Sequence, residues 1–116
     1  MPDDPILERL RTIIFALPET VETDTWGSPH FRVNNKIFVG YGIGDDGPSM
    51  SFRADLMEQA DLIQQARYSI AHYTGRYGGT TMLLNGKVSW KDVAQHVEGS
   101  YRIIAPKRLI KLLDNR

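Results

Sequence analysis

Between residues 20 and 53 the chain is cut into short β-prone runs by turn chemistry that few folds can accommodate. Asn34-Asn35 separates His30–Val33 from Lys36–Ile43, and Gly44-Asp45-Asp46-Gly47-Pro48 separates that run from Ser49–Arg53. Asn and Gly tolerate the positive φ that tight hairpin turns demand, so each break predicts a reversal between neighbouring antiparallel strands. Upstream, Val21 to Trp26 is also β-prone, and Gly27-Ser28-Pro29 reads as an interruption before His30 resumes the strand. The expectation is a meander of three or four strands entered through Trp26-Gly27-Ser28-Pro29-His30-Phe31.

Helical periodicity brackets this meander. Asp4-Pro5 is a cap followed by proline at the first helical position, and Ile6, Leu7, Leu10, Ile13, Ile14 and Leu17 recur at helical spacing until Pro18. Asp55 with Glu58 three residues on resembles a capping box, and Leu56, Ala60 and Ile63 predict the buried stripe of a helix running to about Ala66. Residues 67–79 carry aromatic, polar and glycine residues without period, and predict a connection holding at most a short helical turn. Thr80–Leu84 reads as a further strand ended by Asn85-Gly86. Ser89 then caps a helix with Val93, Val97, Tyr101 and Ile104 on one face, and Pro106 opens a last helix carrying Leu109, Ile110, Leu112 and Leu113. The sum is an α+β two-layer sandwich, an antiparallel sheet with the N- and C-terminal helices packed on one face, formed by residues 1–116 as one domain. The other sheet face stays partly open and is the expected place for a binding site.

Composition narrows the chemistry. With no cysteine among 116 residues, disulfides, thiolate nucleophiles and Cys-based zinc sites are excluded. No apolar run approaches a membrane span and no basic-then-apolar leader is present, so a cytoplasmic, membrane-free protein is expected. The formal net charge is zero, but residues 1–24 hold six acids against two arginines, while residues 102–116 hold five cations against one acid. This asymmetry fits either mutual attraction of the terminal segments or a basic edge that meets a partner.

Three tempting motifs fail on context. Gly40-Tyr41-Gly42-Ile43-Gly44 is glycine-rich, but it feeds Pro48 and a strand rather than a helix N-terminus, so it lacks the N–H groups of a phosphate loop. Asp24, Ser28 and His30 are triad residue types, but side chains two apart on one strand run parallel rather than head to head. His30, His72 and His96 form no paired ligand motif. No catalytic residue, metal or cofactor is therefore expected.

What remains is a mixture of aromatics and cations: Trp26, Phe31, Arg32, Lys36, Phe38 and Arg53 on the strands, and Arg67, Tyr68, His72, Tyr73, Arg76 and Tyr77 in the connection. Rings stack on bases and cations meet phosphates, so the mixture suits an anionic partner. Alternation along Phe31-Arg32-Val33 and Lys36-Ile37-Phe38-Val39 divides these residues between two faces, and favours structural roles for Trp26, Phe31 and Phe38.

The chain resembles the YjbR/MmcQ family of small bacterial proteins. The matching stretches are Leu17-Pro18-Glu19 with Glu22, Trp26 to Val33 followed by Lys36-Ile37-Phe38, Ser51-Phe52-Arg53, Tyr77-Gly78-Gly79, Ser89-Trp90, and Ser100 to Lys107. The resemblance implies a CyaY-like fold. It also implies DNA binding, the role given to family members whose winged sheet elements are similar to a DNA-binding arrangement. In that role Lys36, Arg53, Arg67 and Arg76 would meet phosphates, and Tyr73 and Tyr77 would contact bases or sugars. The alternative is a small anionic ligand, or a protein, held in an aromatic and basic groove on the open face with Trp26 and His30 at its rim.

Overall fold

The computed structural model describes residues 4–116. Helix α1 (Pro5–Phe15) starts where the sequence places it: the Asp4 carboxylate accepts the Leu7 N–H at 3.0 Å. The second oxygen of that carboxylate accepts the Tyr41 hydroxyl at 2.7 Å, tying the helix start to the sheet. Burial and this hydrogen bond push the Tyr41 phenol well above its ordinary pKa.

The sheet has six strands, the predicted meander and the strand near Thr80–Leu84 being joined by a short strand inside the 67–79 connection. They are β1 (Thr20–Thr25), β2 (Ser28–Val33), β3 (Lys36–Gly44), β4 (Gly47–Arg53), β5 (Tyr68–Ile70) and β6 (Gly79–Leu83), in the order β1-β2-β3-β4-β6-β5, all neighbours antiparallel. Trp26-Gly27 does not interrupt a strand. It is a two-residue hairpin turn with φ of 54° and 79°, and Ser28 and Pro29 already belong to β2, paired with Thr25 and Asp24. Asn34 and Asn35, at φ of 51° and 64°, make the predicted turn between β2 and β3.

The connection after β4 also differs from expectation. Helix α2 (Leu56–Leu62) is capped by Asp55 as predicted but ends four residues before Ala66, and Leu56 and Ala60 face solvent. Its buried residue is Gln59, whose amide donates to the carbonyls of Gly75 and Gly79 at 2.9 and 2.8 Å. A periodicity argument scores apolar residues and so misses a helix docked through an amide. Gln59 pins residues 71–79, which contain a 3-10 turn at Gly75–Tyr77. Gly78 sits at φ 98°, where a Cβ would overlap the Ala54 carbonyl oxygen, so only glycine allows this close approach.

Helices α3 (Trp90–Ile104) and α4 (Lys107–Asp114) complete the layer that shares the core with α1. Val93, Val97 and Tyr101 of α3 are fully buried against Phe31, Phe38, Val39 and Met50 of the sheet. Of the α4 residues, Leu109 is buried, Ile110 and Leu113 pack partly, and Leu112 is exposed. Arg108 reaches Glu19 through both oxygens at 2.9 and 3.2 Å, so part of the terminal charge asymmetry is mutual attraction. Among the described residues, no helix is long and apolar enough to cross a membrane.

Two features of β3 shape the open face. Register slips by one between β2 and β3: Arg32 pairs with Ile37 and Phe31 with Val39, leaving Phe38 as a bulge. Phe38 and Val39 are consequently both buried, despite adjacent positions. Beside the bulge, the buried Ser100 hydroxyl of α3 donates to the Phe38 carbonyl at 2.6 Å and accepts the Arg53 N–H at 2.9 Å. That hydroxyl stands between two backbone groups which the next rung of the β3–β4 ladder would join directly, so it wedges the strand ends apart.

Candidate functional site

Register decides what the open face displays. With Phe31, Val39 and Phe52 turned into the core, Thr23, His30, Gly40, Ser51, Thr81 and Ser69 form one row across all six strands on the opposite face. A second row runs through Thr25, Ser28, Gly42, Ser49 and Leu83. The floor is thus made mostly of small hydroxyl residues and glycine, with one imidazole and Leu83 at its edge.

Over this floor lies a trough of about 1060 Å³. It runs from Trp26 at the β1–β2 hairpin tip towards Arg53, Tyr77 and Ile104, where Ser100 separates the strand ends. The Trp26 indole is 88% exposed and meets His30 edge-on at 5.8 Å between ring centroids. The opposite wall is His72, Tyr73 and Tyr77 of the 71–79 connection, with Tyr73 90% exposed.

Of the eight residues predicted for the site, Trp26, His30, Arg53, Tyr73 and Tyr77 line this one trough. Lys36, Arg67 and Arg76 are absent from its lining. Lys36 sits exposed beside the β2–β3 turn. Arg67 is a backbone staple: its guanidinium donates to the carbonyls of Leu83, Asn85 and Lys87 at 2.8, 2.9 and 3.1 Å. Arg76 lies 4.9 Å over the Tyr77 ring and donates to the Tyr77 hydroxyl at 2.8 Å, so it braces a wall residue from outside. Arg53 gives its Nε–H to the Tyr77 carbonyl at 3.0 Å, which orients the guanidinium at the trough end. Phe31 and Phe38 are core residues as the alternation implied, whereas Trp26 packs no core.

The YjbR family model matches residues 15–103, which carry β1 through most of α3 and every residue of the trough except Ile104. The chain belongs to the YjbR family. Among solved structures it is similar to Deinococcus radiodurans protein DR2400, a DUF419 domain protein, at 20% identity and a TM-score of 0.78. The alignment covers 93% of this chain and 87% of that one. At that identity the likeness speaks for the fold alone. No curated protein matches the chain at a significant level.

Within this YjbR chain, sequence reasoning missed the floor: Ser28, Gly40, Ser49, Ser51 and Thr81. A signal for part of it was present in the spacings Ser28-x-His30, Gly40-x-Gly42 and Ser49-x-Ser51, three pairs at strand period on consecutive strands in which every residue but His30 is small. It also missed His96, which is half-buried on α3, stacks on Phe52 at 4.6 Å and shares a 2.9 Å hydrogen bond with the Tyr68 hydroxyl. Burial holds its imidazole below the ordinary histidine pKa, so at neutral pH it is uncharged. The Glu58 carboxylate 3.8 Å away is therefore a polar neighbour rather than an ion-pair partner. This cluster lies on the helix side of the sheet and belongs to the core, not the trough.

Proposed function

We propose that the open sheet face binds nucleic acid as a single strand. The observation that carries this is the convergence of Trp26, Tyr73 and Tyr77, all exposed, around one trough whose only lysine or arginine is Arg53. Exposed rings stack on bases whatever their sequence, each contributing about 1–3 kcal/mol. A duplex hides the faces of its bases and is held largely through phosphate contacts, for which this lining offers one permanent cation. The reading therefore favours unpaired DNA or RNA over a duplex.

Fluorescence anisotropy with labelled single-stranded and duplex oligonucleotides across a salt series tests it. Single strands should bind more tightly, with a log–log salt slope of only about −0.7 to −1.4, as one or two phosphate contacts require. Trp26→Ala should weaken binding at least about 5-fold. Tighter binding of duplex with a steep slope would refute the reading.

A small anionic ligand is the second reading, favoured by the trough's size, close to that of small-molecule sites, and by a mainly apolar and aromatic lining with a single cation. A ligand selective for the folded chain would raise its melting temperature. A panel of nucleotides and organic acids that produces no shift would remove this alternative.

A further inference from the structure

The floor of the trough opens beside His30 into a smaller recess of about 260 Å³, lined by Ser28, His30, Gly42, Ser49, Ser51 and Thr81 around Gly40. Its chemistry differs from that of the trough, since no lysine, arginine or carboxylate takes part. Among the described residues, none of the hydroxyls of Ser28, Ser49, Ser51 and Thr81 has a hydrogen-bond partner in the protein. Those on the helix side, of Tyr41, Tyr68, Thr80, Ser100 and Tyr101, are all bonded. Open hydrogen-bonding capacity is concentrated in this recess.

The histidine adds direction. Its Nδ1 lies 3.0 Å from the Ser28 carbonyl oxygen, which can only accept, so Nδ1 carries the proton. With the proton on Nδ1, the uncharged tautomer offers Nε2 as an acceptor. Gly40 opens a notch beneath it: a Cβ at that position would stand 3.3 Å from His30 Nε2 and 2.8 Å from Ser51 Oγ. A ligand group above the notch meets an acceptor on one side and a hydroxyl donor on the other. A hydroxyl is the group that donates and accepts at once.

We propose that this recess is a ribose subsite, in which a sugar hydroxyl donates to His30 Nε2 and accepts from Ser51, so that the trough prefers a ribonucleotide strand over its deoxy counterpart. The 2′-hydroxyl is the feature by which a protein distinguishes the two. This inference rests on the single-strand reading above, and the test separates the two.

The experiment measures anisotropy of labelled oligouridylate and of the matching oligodeoxyuridylate with the wild-type chain and with Ser51→Ala, His30→Ala and Gly40→Ala, each checked for fold by circular dichroism. The wild type should hold the ribose strand at least about 5-fold more tightly, the effect of two hydrogen bonds. Ser51→Ala and His30→Ala should each bring that ratio towards one, whatever they cost the two strands in common, and Gly40→Ala should do so by filling the notch. Equal affinity of the wild type for both strands overturns the ribose subsite and leaves single-strand binding standing. A ribose preference that survives both Ser51→Ala and His30→Ala also overturns it. Binding of neither strand removes both proposals.

Discussion

Replacing Ser100 with alanine removes one oxygen atom, yet it should cost more stability than most single changes in this chain. The hydroxyl is fully buried and serves two backbone groups, accepting the Arg53 N–H at 2.9 Å and donating to the Phe38 carbonyl at 2.6 Å. Alanine leaves both without a partner, at about 1–3 kcal/mol for each group so orphaned. The Arg53 end is only partly buried and falls at the low end, so the sum is about 2–4 kcal/mol. For a domain of this size that is a fall in melting temperature of about 8–16 °C. Urea denaturation followed by circular dichroism reads it directly, as a lower midpoint at unchanged m value. A loss below about 1 kcal/mol would refute the reasoning, because it would mean that β3 and β4 close up and pair directly once the wedge is gone.

Three other outcomes follow from the geometry. Trp26→Asn should stabilise the chain by about 1 kcal/mol, because the native indole occupies positive φ while almost fully exposed and Asn-Gly is the preferred hairpin pair; thermal melts check the gain, and an unchanged or lower midpoint contradicts it. Gly78→Ala should cost more than about 3 kcal/mol or abolish folding, whereas Gly86→Ala, at φ 71° with no atom near its Cβ position, should cost only about 1 kcal/mol; equal effects in urea denaturation would show that the Ala54 approach is not the cause. Stability should fall as pH drops below about 6.5, since the unfolded chain takes up the proton that buried His96 refuses. His96→Gln should flatten that slope. Glu58, raised by burial and by Asp55, acts with the opposite sign: its contribution is complete at low pH and is lost as pH rises through its folded-state pKa.

The elements were legible where local chemistry dictates them. Asp4, Asp55 and Ser89 cap the helices predicted from them, and Asn34-Asn35 turns the chain between β2 and β3. The errors in the sheet share one physical origin, that backbone pairing leaves little trace in side-chain patterns. Trp26 is a poor turn former by type, and only Gly27 beside it and the pairing of Thr25 with Ser28 make it one. The Phe38 bulge shifts register by one residue, so strict alternation assigns Phe38 and Val39 to opposite faces when both are buried. The site was half legible for the same reason. Aromatic residues announce themselves by type, and Trp26, Tyr73 and Tyr77 do meet around one trough. The serine spacings hint at a floor, but they join His30 in one row only after Gly40 has been placed between His30 and Ser51, which requires the bulge. Cations mislead by type alone, as Arg67 shows by giving its guanidinium to three carbonyls.

The Trp26-Gly27 turn separates two demands that most binding walls must satisfy together. The indole supports no core, closes no hydrogen bond and sits at the tip of a two-residue turn. Its side chain is therefore free of packing constraint, with only the positive φ of the turn to satisfy, while its position over His30 is set by the hairpin beneath it. Divergence at this single residue can retune what the trough accepts without disturbing the scaffold, and relatives of this chain can be sorted by what stands there.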